Sequence, residues 1–406
     1  MTLPGKRRRA RQDLDRRDLR NTLLESKFMS LTRAAALAAT LLLMTGKVSL
    51  AGAEWRWGGD ARLGYLADWS EQRNGERDSN DNFRMRLRLR AATPADQAWQ
   101  INTGLAGSFA SDQDSLDFYL RRYRPGRTGV NAGDATVDTF NLRYRHLESG
   151  TTLRIGRFAT SFTLPIVPGK SLIRNDASNF NIGWTDGVYL QTPLNEGWRL
   201  HLVGQLNSRR GTGNTARAPL DFAKTRARTS LFAAIEASQP WGPVTTRMLS
   251  LVWIPEALAT VGLDQPDRND YLGVSAKLAA SWSVGDARLV AAGEWAHAFN
   301  TPSREAQRLP GSGSVGGNAW QASLNLYDWQ PGHSLGAVLG HAQAGWLVSN
   351  DYRENDDLVE LRYRWQARPD TVVELRYRWR REIERLIAAD QRRKNQDAYL
   401  RVTYRF

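Results

Sequence analysis

From residue 54 onward the chain alternates apolar and polar positions with a period of two. The clearest case is Phe83–Ala91. Phe83, Met85, Leu87, Leu89 and Ala91 fall on one face of an extended strand, and Arg84, Arg86, Arg88 and Arg90 fall on the other. A helix would mix the two sets. Segments of this kind recur near 54–67, 82–92, 98–110, 136–147, 151–158, 186–193, 197–207, 228–239, 243–254, 270–284, 287–298, 318–330, 333–348, 356–367, 371–381 and 396–406. That makes sixteen predicted strands. The segments at 287–298 and 333–348 carry small residues on both faces, so their register is left open.

The links between segments alternate in length. After each even-numbered strand the link is short and holds Gly, Pro, Asn or Asp, as at Pro193–Glu196, Gly285-Asp286, Pro331-Gly332 and Pro369-Asp370. After most odd-numbered strands it is long and polar, as at 111–135, 159–185, 208–227, 255–269, 299–317 and 382–395; links 68–81 and 349–355 are shorter. A membrane barrel with small turns at one end and large loops at the other calls for this alternation, and a soluble sandwich does not. The expected fold is all-β: a transmembrane antiparallel β-barrel of about 16 strands, with 18 possible. Trp55, Trp57, Trp99, Trp282, Trp295, Trp320, Trp365 and Trp379 sit toward strand ends, where interfacial girdles lie.

Charge and the N-terminus refine this picture. The chain has 406 residues, a net charge of +14 and no Cys, so neither a disulfide framework nor a thiolate metal site is available. Residues 1–28 are basic, lack apolar periodicity and look like an extension upstream of the true start. Met29–Ala53 has a short positive segment, an apolar run at Ala34–Met44 and an Ala51-Gly52-Ala53 cleavage pattern, which together predict a secretory signal peptide. The barrel domain is then 54–406. Residues 1–53 hold 11 of the 56 basic and 4 of the 42 acidic residues, which leaves 45 against 38, net +7. Only Lys170, Lys224, Lys277 and Lys394 of these 45 are lysines.

Other chemistry finds little support. His146, His201, His297, His333 and His341 are scattered without metal-ligand spacing, and no nucleophile-elbow, phosphate-loop or dinucleotide motif is present. We expect no catalytic residues, metal or cofactor. Interleaved arginines and aromatics would suit a nucleic acid, but here they alternate with apolar residues along strands, so no nucleic-acid partner is expected.

The signal peptide, the sixteen two-faced strands and the terminal Tyr404-Arg405-Phe406 resemble Gram-negative outer-membrane porins. The stretch Leu153-Arg-Ile-Gly-Arg-Phe158, with Asp186-Gly-Val-Tyr-Leu190, resembles phosphate-selective porins of the O/P type and, more weakly, alginate-export porins. The resemblance implies a cell outer-membrane location, contact with lipid and lipopolysaccharide, and passive diffusion of small solutes. It further implies a homotrimer, and recognition of the Phe406 strand by the outer-membrane assembly machinery.

With the apolar files facing lipid, the arginine files face the lumen. Closure of strand 16 on strand 1 makes strands 14, 15, 16, 1 and 2 neighbours. Arg362, Arg364, Arg376, Arg378, Arg401, Arg84, Arg86, Arg88 and Arg90 then join in one cationic wall, interrupted by Glu360 and Glu374. Such a wall favours small anions, because arginine keeps its charge and offers several fixed donors to phosphate or carboxylate. The same residues would also serve merely to wet a general pore. The resemblance places the fifth-to-sixth link, Ala159–Thr185, inside the barrel as a constriction loop, with Lys170 and Arg174 as its candidate residues. Two alternatives remain: an exporter of an acidic polysaccharide, or a plugged barrel with an enzymatic or structural role.

Overall fold

A computed structural model of the chain describes residues 55–94, 98–111, 134–176, 180, 182–207, 228–237, 239–259 and 268–406, with the two-residue pieces 117–118, 125–126 and 129–130. The expected signal peptide and upstream extension lie outside the described residues. Sixteen strands form the wall: β1 (Arg56–Glu71), β2 (Arg77–Ala92), β3 (Trp99–Ala110), β4 (Asp134–Arg145), β5 (Thr152–Phe158), β6 (Thr185–Asn195), β7 (Trp198–Asn207), β8 (Arg228–Ala237), β9 (Val244–Ala259), β10 (Arg268–Val284), β11 (Ala287–Ala298), β12 (Asn318–Gln330), β13 (His333–Ala342), β14 (Asp356–Arg368), β15 (Thr371–Glu382) and β16 (Lys394–Arg405). Each pairs antiparallel with the next, and β16 pairs with β1 from Asp60↔Arg405 to Glu71↔Lys394. Phe406 extends this seam by exchanging backbone hydrogen bonds with Gly59. The barrel is closed, so no strand edge is left unpaired.

The two faces of the strands meet different surroundings. Leu63, Tyr65, Ile101, Leu142, Leu202, Leu231, Leu278, Leu324, Leu361, Leu375 and Leu400 are exposed on the outside. Trp57, Trp99, Trp198, Trp282, Trp329 and Trp365 ring the end with the short turns, and Trp69, Trp295 and Trp320 lie at the end with the long loops. An exterior of bare apolar side chains between two aromatic rings is the surface that lipid solvates. The open register of 287–298 resolves with Val290, Ala292, Glu294, Ala296 and Ala298 inward. On β13, Ser334, Gly336, Val338, Gly340 and Ala342 point inward.

Strand boundaries move at three of the expected links. β1 and β2 continue to Glu71 and Arg77, so their link is residues 72–76 rather than 68–81. β9 reaches Ala259, and β10 begins at Arg268. β13 ends at Ala342, not near 348. Residues 343–355 instead turn into the barrel, where Trp346 is fully buried. Small residues on alternating positions had made Ala342–Val348 look like more strand.

Candidate functional site: a channel along an arginine wall

Two links enter the lumen and lock together. Between β5 and β6, residues 159–176 pack across the inner wall. Phe162 rests on Phe232, with ring centroids 4.8 Å apart, and Leu164 and Ile166 lie on Ala279 and Ala292. Loop backbone donors find strand carboxylates and amides: Leu172 N–H donates to Glu294 at 2.9 Å and Val167 N–H to Asn325 at 3.0 Å. Lys277 donates to Phe162 O and pairs with Glu294 at 3.3 Å. Residues 343–355 clasp the same loop from the other side. Trp346 Nε1 donates to Leu172 O at 2.9 Å, and Asp351 accepts from Ser171 N–H and Asn175 Nδ2, both at 2.9 Å. Glycines on β13 allow the close approach. A Cβ on Gly340 would lie 2.1 Å from Tyr352, and one on Gly336 2.8 Å from Val167.

The neck of the longer loop is clamped by the motif Gly156-Arg157 and Asp186-Gly187. Gly156 has a φ of 121°, which only glycine adopts readily. This turn lets Arg157, three residues after the inward Arg154, point inward as well. Arg157 reaches Asp186 with a fork of two bonds, at 2.8 and 3.1 Å, beneath the Trp184 ring at 4.4 Å. The residues that carry the porin resemblance therefore hold the base of the loop.

Between the loop and the strands β14, β15, β16, β1 and β2 runs a cavity of about 860 Å³. Its lining extends from Gln72 and Asp78 at the loop end to Arg364, Val372 and Arg405 at the turn end. On the loop side it is bounded by Ser161, Thr163, Ile166–Lys170 and Asn175. Eleven lysine and arginine residues line it, against five aspartates and glutamates.

Charges on the wall are partly paired. Glu360 accepts from Arg362 at 2.6 Å and from Lys170 at 2.9 Å. Glu374 holds Arg401 and also Arg362, the latter at 3.4 Å. Asp397 holds Arg376 and Arg378. Tyr399 offers its ring to three guanidiniums, of Arg376 at 4.1 Å, Arg401 at 5.2 Å and Arg362 at 5.9 Å. Arg84, Arg353, Arg364, Arg380 and Arg405 line the cavity with no carboxylate within 4 Å among the described residues. These carry the excess positive charge.

The expected wall is thus divided. Arg84, Arg362, Arg364, Arg376, Arg378 and Arg401 face the cavity. Arg86 and Arg88 do not: Arg86 is fully buried against Asp60, and Arg88 pairs with Asp138 at 3.0 Å. Arg90 stays 45% exposed and lies 3.8 Å from Asp138. In the loop, Lys170 borders the cavity and burial pushes its ammonium down to about 8, against the pull of Glu360. Arg174 sits away from the cavity lining and donates at 2.6 Å to each of Thr160, Thr185 and Gln205. Among the described residues no group of three or more His, Asp or Glu could hold a metal ion. Asp60 and Asp138 were not singled out in sequence, and 343–355 reads there as strand to 348 and a polar link beyond, not as an inward segment. The inward glycines of β13 are the one local sign that another segment packs there.

No family model and no curated protein sequence matches the chain. Solved structures do. OprB of Pseudomonas putida superposes with a TM-score of 0.57 at 11% identity, covering 87% of this chain and 94% of that one. OccK8 (OprE) of Pseudomonas aeruginosa gives 0.50 at 10% identity, over 86% and 98%. With its closed antiparallel wall, lipid-type exterior and inward loop, the chain has the fold of the outer-membrane porins.

Proposed function

We propose that this chain is an outer-membrane porin of a Gram-negative cell, a water-filled channel through which small hydrophilic solutes diffuse, with a preference for anions. The observation that carries the reading is the composition of the cavity lining, eleven cations against five carboxylates, most of them on the strands β14 to β2. A lining with that balance between low-dielectric walls raises the local anion concentration without any chemical step. Arginine suits the role because its charge is permanent and its fork matches phosphate and carboxylate. Two loops locked into the lumen narrow the path, which suits small solutes rather than a polysaccharide. Phosphate-selective behaviour, a trimeric assembly and recognition of Phe406 by the assembly machinery belong to the same proposal, on the resemblance of the sequence. Planar-bilayer recording of the purified protein tests it: an open channel conducts, and a plugged barrel stays silent.

A further inference from the structure

The barrel interior holds a second space. Residues 159–163 separate the main cavity from one of about 370 Å³ that lies against β5 to β10, and the two linings share only Ser161 and Thr163. Arg199, Glu236 and Thr246, close to the short turns, line it, so it faces the turn end of the barrel.

Its ionisable groups differ in how they are satisfied. His201 and Arg199 share Glu236, at 3.0 and 3.9 Å, and Tyr189 bonds His201 at 2.8 Å. Lys277 belongs to the loop tether. Arg154 stands apart. It lines the space, its guanidinium lies 5.6 Å from the Tyr189 ring centre, and no carboxylate is within 4 Å of it among the described residues. Its register partner on β4 is another inward arginine, Arg143, whose guanidinium makes a long hydrogen bond of 3.4 Å to Gln100. Like charges directly opposite on paired strands are destabilising. Both arginines also bury an Nε that has no hydrogen-bond partner among the described residues, and a buried donor left unmade is costly. Arg157, on the same strand as Arg154, has its carboxylate in Asp186. Among the described residues Arg154 and Arg143 have no such carboxylate. In the lining that Arg154 shares, Gln191, Thr163 and Thr246 offer amide and hydroxyl groups.

We propose that Arg154, backed by Arg143, anchors a second anion subsite on the wall opposite the arginine-lined cavity, one that holds a small hydroxycarboxylate such as a single sugar acid. The carboxylate supplies the missing acceptors and relieves the repulsion between the two guanidiniums, and the hydroxyls meet the amide and threonines. The volume admits one small solute and no chain.

Calorimetry on the full chain in detergent tests this, with D-glucuronate as probe and D-glucose as its neutral counterpart. The expected result is glucuronate binding with a component that depends on Arg154, and no comparable glucose binding. Arg154→Gln should weaken glucuronate at least tenfold, about what a charge-assisted hydrogen bond is worth. Arg154→Lys should fall between, since it keeps the charge and loses the fork. Arg143→Gln should weaken binding too, and carries the test should Arg154→Gln fail to fold by circular dichroism. Absence of glucuronate binding, equal binding of glucose, or unchanged affinity in both glutamine variants would overturn the proposal. Binding in micelles needs no conduction, so a protein that binds glucuronate yet conducts no anions would sink the channel reading and leave this one standing.

Discussion

Arg157 and Asp186 face each other across β5 and β6 and join through two parallel hydrogen bonds, with side chains 2% and 0% exposed. They close the neck of a loop that crosses the barrel. Breaking such a pair strands a buried charge, at a cost of about 3–5 kcal/mol. Asp186→Ala should therefore lower the denaturant midpoint of the barrel and free the loop, seen as enlarged and noisier single-channel currents. A variant as stable and as quiet as the wild type would remove the clamp from this account.

Gly336 and Gly340 give the second handle on the loops. A side chain at Gly340 meets the Tyr352 ring, and one at Gly336 meets Val167 and Pro168. Gly340→Leu should push residues 343–355 off the wall and change conductance, while the strand signal in circular dichroism stays as it was. Unchanged conductance would mean that these loops do not border the conducting path.

Trp346 tests the clasp by packing. It fills the space beside Tyr271, with ring centroids 6.4 Å apart, and donates to Leu172 O. Trp346→Ala should cost about 3–5 kcal/mol from the cavity it leaves and should expose the loop to protease from the outer side. Urea unfolding and limited proteolysis read both effects.

Lys170 makes one contribution pH-dependent. Its ammonium is held down to about 8 by burial; Glu360 and Asp351 raise it, and Arg378 and Arg362 lower it. Below that pH it is charged, and as pH rises through it the cavity loses a positive charge. Anion preference should fall between about pH 7 and 9, measured as reversal potential. Lys170→Arg, with a group that stays charged, should flatten the profile. A profile identical in both proteins would show that Lys170 does not act on the permeating ions.

The fold was legible because one strand such as Phe83–Ala91 needs two solvents at once, and sixteen such strands with alternating links leave few architectures. The wall itself was also legible, since period two fixes the face on which Arg84, Arg376 and Arg401 lie. What alternation cannot give is the partner. Arg86 and Arg84 look alike in sequence, yet the fully buried Arg86 pairs with Asp60 across β1 and β2, whereas Arg84 opens on the cavity. Register and closure decide this, and both are long-range. The inward turn of 343–355 was hidden for a related reason. Its small residues fit strand and loop equally, and only contact with Leu172 and Ser171 distinguishes them.

The central claim is the anion preference of the cavity along β14 to β2. Its most direct measurement is the reversal potential of the purified protein in a planar bilayer under a salt gradient, for wild type and for the variant carrying Arg84→Gln, Arg364→Gln and Arg405→Gln. The account predicts anion selectivity in the wild type, with a marked shift toward cations in the triple variant, because these three line the cavity with no carboxylate within 4 Å among the described residues. Cation selectivity in the wild type, or the same potential in both proteins, would contradict it.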